Sequence, residues 1–100
     1  MTAGDHIRIS NPRRGAVDAV LTSITPAEEL PDLGPDYPPA WLVRRVLRQW
    51  NASRVALIEY LYGPPDKQRH VRFAALEIRG RWYDLHRQEL TITTIQEPTS

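Results

Sequence analysis

The sequence predicts a single α+β domain in which an antiparallel sheet of five or six strands carries one amphipathic helix. Three observations support this prediction: a strong β-hairpin pattern over 70–86, helical spacing of apolar residues over 40–51, and β-rich runs before and after them. The predicted order is β-β-α-β-β-β. At 100 residues, with 41% hydrophobic and 25% charged residues, the chain has the size and composition of one folded domain over 1–100.

The composition excludes several classes of site. The chain contains no cysteine, so it has no disulfide, no thiol nucleophile and no cysteine-bound metal. A net charge of +1 provides no global field that would attract nucleic acid. No run approaches the roughly 20 apolar residues of a membrane-spanning helix, and the first residues lack the pattern of a signal peptide. We therefore expect a cytoplasmic protein that does not enter a membrane.

The first predicted hairpin joins a short half-buried strand over 5–10 to a β-rich run over 16–25. Two isoleucines alternate with polar residues in the first strand, and a turn dense in asparagine, proline and glycine follows. The two strands are expected to pair as an antiparallel hairpin. Its tip presents Arg13 and Arg14, which are candidate binding residues.

In this opening segment a Gly-Asp pair leads the first strand and a basic-glycine turn leads the second, and the residues involved are Gly4-Asp5, Ile7, Ile9, Arg14-Gly15 and Val20. The arrangement resembles the start of a KOW-type or SH3-like barrel. The glycine that such motifs usually carry a few residues after the turn is missing, and Asp18 stands near its place. The resemblance covers about a fifth of the chain. It implies a sheet curled into an SH3-like half-barrel, and no family function is carried over from it.

Residues 26–39 are predicted to form a proline-rich acidic loop. Its five prolines exclude a regular helix or a central strand over most of its length, and a short helical turn fits over 27–30. Loops of this length are usually either functional or disordered. Because Leu30, Leu33 and Tyr37 provide apolar anchors, we expect an ordered flap that covers one face of the central hairpin.

The helix is expected to begin at Pro39 or Ala40 and to end near Asn51. Proline is tolerated in a first helical turn, and asparagine tolerates the left-handed conformation that ends many helices. Apolar residues at helical spacing form one stripe, which consists of Leu42, Val43, Val46, Leu47 and Trp50. This stripe is predicted to pack on the sheet.

Arg44, Arg45 and Arg48 lie on the opposite side of this helix. They fit a site for phosphate or for a carboxylate-rich partner, because arginine makes bidentate contacts with both groups. The competing interpretation is a solvated face whose charges pair with carboxylates of the preceding loop.

The central hairpin over 70–86 is organised around Gly80. A two-residue turn formed by Arg79 and Gly80 avoids placing Glu77 opposite Asp84, a contact that would cost on the order of a few tenths of a kcal/mol. Side chains alternate along each strand, so this register separates two faces. The predicted core face consists of Ala74, Leu76, Ile78, Tyr83 and Leu85.

The second face of the hairpin carries the main candidate binding surface. Phe73 and Trp82 lie there beside Asp84 and His86, a mixture too apolar for solvent and too charged for a dry interior. One alternative is that a loop or the helix covers this face, and another is that a bulge at 74–75 turns part of it towards the core. On a strand, Asp84 and His86 would share a face, which would allow an imidazole oriented by an acid.

The remaining strands are a buried one over 55–62 and a Thr/Ile strand over 90–95, and residues 1–4 and 96–100 are expected to fray. No two of the three histidines have the i, i+4 spacing of a helical metal site, and no glycine-rich phosphate-binding motif occurs. We therefore expect no metal, no cofactor and no enzymatic activity.

The sequence favours a small non-catalytic binding module that engages a protein partner, or a second copy of itself, through an aromatic and arginine surface. Interface centres are rich in these residue types. The profile fits an accessory protein of a phage or mobile element. The first alternative is an SH3-like nucleic-acid-binding module that uses Arg13, Arg14 and the arginines of the central hairpin. The second is an enzyme or small-ligand carrier that uses Asp84 and His86.

Overall fold

The computed structural model describes residues 1–13, 15–34 and 37–95. Over these residues the chain forms an antiparallel barrel with one α-helix packed outside it. The strands are β1 (His6–Asn11), β2 (Gly15–Pro26), β3 (Arg54–Tyr62), β4 (Arg69–Ile78), β5 (Arg81–Tyr83) and β6 (Glu89–Thr94). The helix α1 (Ala40–Gln49) lies between β2 and β3 in the chain, and a 3-10 helix (Ala27–Glu29) follows β2.

Each strand pairs with its neighbours in the chain, and β6 closes the barrel against β1, with Ile9 opposite Ile92. The predicted α+β class and the antiparallel sheet are confirmed. The predicted half-barrel is closed instead, because the Thr/Ile strand pairs with the first strand and leaves no gap between them. Within the described ranges, no helix has the length and apolar character needed to cross a bilayer.

The turn of the central hairpin has the predicted register. Ile78 pairs with Arg81 across a two-residue turn. Arg79 and Gly80 have φ values of 53° and 80°, and this turn type requires left-handed values at both central positions. Glu77 consequently lies opposite an aromatic residue rather than a second carboxylate.

The second strand of the hairpin is shorter than predicted. β5 ends at Tyr83, and the chain turns away at Asp84 instead of pairing on to His86. Asp84 makes this turn itself, since its Oδ1 accepts N–H bonds from His86 at 2.9 Å and from Gln88 at 2.8 Å. An aspartate that bonds the backbone two residues ahead favours a turn over a strand. The prediction that Asp84 and His86 share one strand face is therefore wrong.

Barrel closure decides what each face of this hairpin packs against. The face of Phe73 and Trp82 points into the barrel, where Trp82 is buried and Phe73 is partly buried against the interior cluster. The predicted core face packs outwards, where Ala74 and Leu76 lie under α1. The alternative bulge at 74–75 is not found, because β3 and β4 pair in continuous register there. Both faces are apolar because each of them packs against a different layer.

Two apolar layers hold the structure together. The barrel interior contains Ile7, Ile9, Ala19, Leu21, Ala56, Ile58, Ala75, Trp82 and Leu90. The outer layer, between α1 and the sheet, contains Val43, Val46, Leu47, Val55, Leu57, Ala74 and Leu76. Because β3 contributes side chains to both layers, its sequence is apolar on both alternations.

The proline-rich acidic loop covers a different surface from the predicted one. Leu30, Leu33 and Tyr37 pack beside α1 on the outer layer rather than over the face of Phe73 and Trp82. The helical turn predicted inside this loop is the 3-10 helix. The loop therefore packs mainly beside α1, and its Pro38 lines the same cleft as Phe73.

α1 begins after Pro39 and ends close to the predicted residue. Asn51 has a φ of 52°, and the N–H of Ala52 donates to the carbonyl of Leu47 at 3.0 Å. This left-handed residue and its backbone bond complete a Schellman ending of the helix. Asparagine tolerates this left-handed conformation, which is consistent with its position at the end of α1.

The start of the chain, where we expected fraying, is bonded to the barrel. Gly4 N–H donates to the carbonyl of Leu21 at 2.7 Å, and the Asp5 carboxylate accepts from the N–H of Thr2 at 2.8 Å. That backbone hydrogen bond lowers the pKa of Asp5. The expected fraying of 96–100 concerns residues outside the described ranges.

Candidate functional site

The predicted site residues of the central hairpin occupy two environments. Phe73, Asp84 and His86 line one cleft at an end of the barrel. Trp82 does not reach this cleft; it lies in the barrel interior and is 8% exposed. The surface predicted around Phe73 and Trp82 is therefore divided between a cleft and a core.

The predicted site residues at the tip of the first hairpin are only partly described. Arg13 is exposed, and its backbone N–H donates to the Oδ1 of Asn11 at 2.8 Å. Arg14 lies outside the described residues. Arg13 belongs to the turn between β1 and β2, whereas the other predicted arginines belong to α1. No described pocket contains Arg13 together with an arginine of α1.

The exposed face of α1 brings the predicted helix arginines together around a tryptophan that the sequence interpretation did not select. Trp41 is 64% exposed. Arg44, Arg45, Arg48 and Gln49 border the same shallow depression. Positions 41, 44, 45 and 48 are three, four and seven residues apart, which places them on one helix face. The same spacing, read from the sequence, would have identified Trp41. We call this surface the α1 face.

The arginines of the α1 face make no ion pair with any residue that the structure describes. The ion pairs among described residues lie on the barrel, between Arg8 and Asp18, Arg54 and Glu77, Arg72 and Glu59, and His70 and Glu59. Glu28 borders a neighbouring depression beside Arg44 and Arg48 without bonding to either. The α1 face thus has positive charge that its described surroundings do not neutralise.

The cation–carboxylate contacts of the barrel have a structural character. Arg54 makes a bidentate pair with Glu77, with Nη2–Oε2 at 2.6 Å and Nε–Oε1 at 2.8 Å. The guanidinium also lies 5.6 Å from the ring centroid of Trp82. The hydrogen bond from Arg54 lowers the pKa of Glu77 and raises that of Arg54. These contacts join β3, β4 and β5.

The cleft at the end of the barrel has a volume of about 300 Å³. It lies between β4 and the turn that follows β5, next to the β1–β2 turn. Its apolar wall includes Ile9, Val17, Tyr60, Val71, Phe73, Leu85 and Leu90, and its polar side chains are Asn11, Asp84, His86 and Gln88. We call this site the barrel cleft.

Two aromatic rings form one side of the barrel cleft. Tyr60 and Phe73 come from the paired strands β3 and β4, and their centroids are 6.2 Å apart at an interplanar angle of 76°. This edge-to-face arrangement is a favourable packing of two rings. It holds an aromatic surface at the cleft.

The polar side of the barrel cleft is built on the Asp84 turn. The Asp84 carboxylate bonds backbone N–H groups rather than the exposed His86 imidazole. Asn11 Nδ2 donates to the Oε1 of Gln88 at 3.5 Å, which links the β1–β2 turn to the same side. Within the described part of the chain, no group of three or more histidine, aspartate and glutamate residues is placed to hold a metal ion.

A further exposed apolar pair occurs on β3. Leu61 and Tyr62 lie at the end of this strand, where it pairs with the first residues of β4. Neighbouring His70 lies 3.3 Å from Glu59 through its Nε2. Leu61 and Tyr62 are separate from both the α1 face and the barrel cleft.

Comparisons with protein-family models, with curated proteins and with solved structures give no match for this chain. The functional interpretation therefore comes from the geometry of the α1 face and the barrel cleft.

Proposed function

We propose that this chain is a small non-catalytic binding module that engages an acidic protein partner through the α1 face. One observation carries the proposal: Trp41 is 64% exposed beside three arginines that have no ion pair among the described residues. Tryptophan and arginine are the residues most enriched among those that dominate interface energies. Their combination on one rigid helix supports a binding surface.

The apolar contribution of Trp41 is large enough to matter. An aromatic side chain buries about 150–250 Å² when it is fully covered. The exposed part of Trp41 then corresponds to on the order of 130 Å², whose burial in an interface stabilises the complex by about 3 kcal/mol. A partner that covered this indole would gain a substantial part of its binding free energy there.

The charge of the α1 face favours a partner that carries carboxylates. Arginine binds carboxylates in a bidentate geometry, and complementary charge speeds association and selects the partner. Two copies of the chain that met symmetrically through this face would bring like charges together. This argument disfavours self-association through the α1 face, although a second copy was one of the predicted partners.

A single-stranded nucleic acid is the second candidate partner. An exposed indole beside arginines offers a stacking platform and cations for the phosphate backbone. The central hairpin supports this candidate less than predicted, because Arg72 is paired with Glu59, and the adjacent strand's Arg54 with Glu77. Affinity for phosphate depends on accumulated positive charge, which carboxylates reduce.

An SH3-like character of the barrel is part of the same proposal. A curled antiparallel sheet that opens with Gly4-Asp5 and turns at a basic-glycine step supports it. The fold class alone does not imply a function, so the binding role rests on the residues of the α1 face.

The test uses two probes, a short glutamate-rich peptide that contains leucine and an oligothymidine strand, with binding followed by NMR amide shifts. We expect the peptide to shift amides of α1. Trp41→Ala, and separately a triple glutamine replacement of Arg44, Arg45 and Arg48, should weaken peptide binding by about tenfold or more. Arg79→Gln, an exposed arginine on the hairpin turn, is the matched control and should leave binding unchanged.

Three results would count against the proposal. Absence of peptide binding would remove the acidic partner. Tighter, strongly salt-dependent binding of the oligothymidine would favour the nucleic-acid candidate. Shifts confined to the region of Leu61 and Tyr62 would place the binding surface on β3 instead of α1.

A further inference from the structure

The barrel cleft is a second site, separate from the α1 face. Its volume of about 300 Å³ reaches the lower end of the range of small-molecule pockets. Ligand pockets are usually apolar cavities with a few placed polar groups, and the barrel cleft has this composition. It therefore suits a small organic group rather than a large ligand.

The apolar part of the cleft favours a ring or short hydrocarbon. Tyr60 and Phe73 provide aromatic surface, and Val71 and Leu85 add aliphatic surface. The edge-to-face packing of the two rings holds them in a defined orientation. A ligand with an apolar body would displace water from this surface, and the burial of apolar surface would favour binding.

The charge in the cleft comes from Asp84. Its carboxylate is half-buried, and one oxygen, Oδ1, accepts both N–H bonds of the turn. The described basic side chains that form ion pairs contact other carboxylates, those of Asp18, Glu59 and Glu77. Among the residues that the structure describes, Asp84 thus has no cationic partner, and its charge is available to a ligand.

A carboxylate next to aromatic rings attracts a cation by two effects. The carboxylate attracts the positive charge directly, and the rings attract it through their negative faces. The side-chain oxygens of Asn11 and Gln88 lie on the same polar side and can accept N–H bonds. All three kinds of group favour an ammonium ion over a neutral or anionic group.

We propose that the barrel cleft binds a small organic amine, whose apolar body lies against Tyr60 and Phe73 and whose ammonium group bonds Asp84. The Asp84 turn keeps the carboxylate at the cleft, because two backbone N–H groups hold Oδ1 in place. Preorganisation of this kind reduces the entropic cost of binding. This site does not depend on the function proposed for the α1 face.

The test compares three ligands with the same ring. Phenethylamine carries the cation, 2-phenylethanol is its neutral analogue, and 3-phenylpropanoate is its anionic analogue. NMR titration should show phenethylamine shifting the ring signals of Tyr60 and Phe73 and the amides of the Asp84 turn. We expect it to bind roughly fivefold more tightly than the alcohol, while the anion binds most weakly.

Substitutions separate the charge from the shape of the site. Asp84→Asn keeps an oxygen that can accept the turn's N–H bonds but removes the charge, so phenethylamine should lose its advantage over the alcohol. Phe73→Leu keeps Asp84 and removes one ring, and it should weaken all three ligands. Asp66→Asn, an exposed carboxylate between β3 and β4, is the control and should change nothing.

Equal affinities for the amine and the alcohol would overturn the proposal, as would amine binding that Asp84→Asn leaves unchanged. Failure of all three ligands to bind, with the amide spectrum intact, would also overturn it. Should Asp84→Asn lose its folded spectrum, the comparison of the three ligands on the unchanged protein and on Phe73→Leu still decides the outcome. None of these results bears on peptide binding at α1.

Discussion

The barrel and the α1 face use the same residue types in opposite ways. In the barrel, Trp82 is 8% exposed, and Arg54 bonds Glu77 while lying 5.6 Å from the indole. On the α1 face, Trp41 is 64% exposed, and the neighbouring arginines make no ion pair with described residues. The comparison shows that the surroundings of a residue matter more than its type. A nearby carboxylate or a covering layer makes an arginine or tryptophan part of the fold, and without them the same residue is available to a partner.

The largest expected difference is between the two tryptophans. Trp82→Ala leaves a cavity in the barrel interior and should reduce the free energy of unfolding by about 3–5 kcal/mol. Trp41→Ala removes an exposed side chain and should change it by less than about 0.5 kcal/mol. Urea unfolding followed by far-UV circular dichroism measures both.

Trp82→Phe serves as the milder variant if the alanine form does not fold, because it keeps an aromatic ring in the interior. It should still be less stable than Trp41→Phe. Similar losses at the two positions would contradict the division into a structural and an available tryptophan.

The arginines should differ in the same direction by a smaller amount. Arg54→Ala removes a bidentate pair and leaves the Glu77 carboxylate with the Ser53 hydroxyl at 2.9 Å. We expect a loss of about 1–2 kcal/mol in the free energy of unfolding. Arg48→Ala on the α1 face should stay within about 0.5 kcal/mol of the original protein. A larger loss at Arg48 would show that the helix arginines also support the fold.

The smallest effect concerns the pH dependence of stability. Arg54 lowers the pKa of Glu77 from its ordinary value of 4.5, so the folded state favours the ionised carboxylate. The resulting stabilisation is present above pH 4.5, the ordinary pKa of Glu77. It is lost as the pH falls through the lower pKa that Glu77 has in the folded state. The difference in unfolding free energy between the original protein and Glu77→Gln should therefore shrink from neutral pH to about pH 3.

Arg48→Gln provides the control for this measurement. The difference in unfolding free energy between this variant and the original protein should not shrink in the same way as the pH falls. A Glu77→Gln difference that stays constant over the acidic range would mean that the pair with Arg54 does not stabilise the folded state.

Much of the fold could be predicted from local signals. Gly80 and the charge of Glu77 gave the hairpin register, since a two-residue turn and like-charge repulsion act between near neighbours. Pro39 and Asn51 marked the ends of α1 for the same reason. Each of these features depends on backbone geometry within a few residues.

The faces of the hairpin could not be assigned in this way. Alternation shows that two faces exist, but it does not show which one curls inwards when β6 meets β1. That closure joins residues far apart in the chain. Without it, the face of Phe73 and Trp82 has no visible cover in the sequence, although the barrel interior buries Trp82 and part of Phe73.

The candidate sites were predicted in part. Arg44, Arg45 and Arg48 share one helix face, as their spacing predicts, and Trp41, which was not predicted, lies on the same face at the same spacing. Asp84 was selected for a strand geometry that does not exist, since its side chain bonds the backbone and ends β5. The turn after β5 nevertheless places Asp84 and His86 at the cleft that Phe73 of β4 also lines.

The pairing of β1 with β6 also has a consequence for the folding of this chain, because it joins residues far apart in sequence. α1 depends on contacts within a few residues, whereas Ile7 meets Thr94 only after nearly the whole described chain has been synthesised. Long-range pairings of this kind slow folding, because the entropy of closing a long loop is lost before the contacts form. Until β6 arrives, the isoleucines of β1 lack one of their neighbouring strands. We therefore expect the pairing of β1 with β6 to form late in folding.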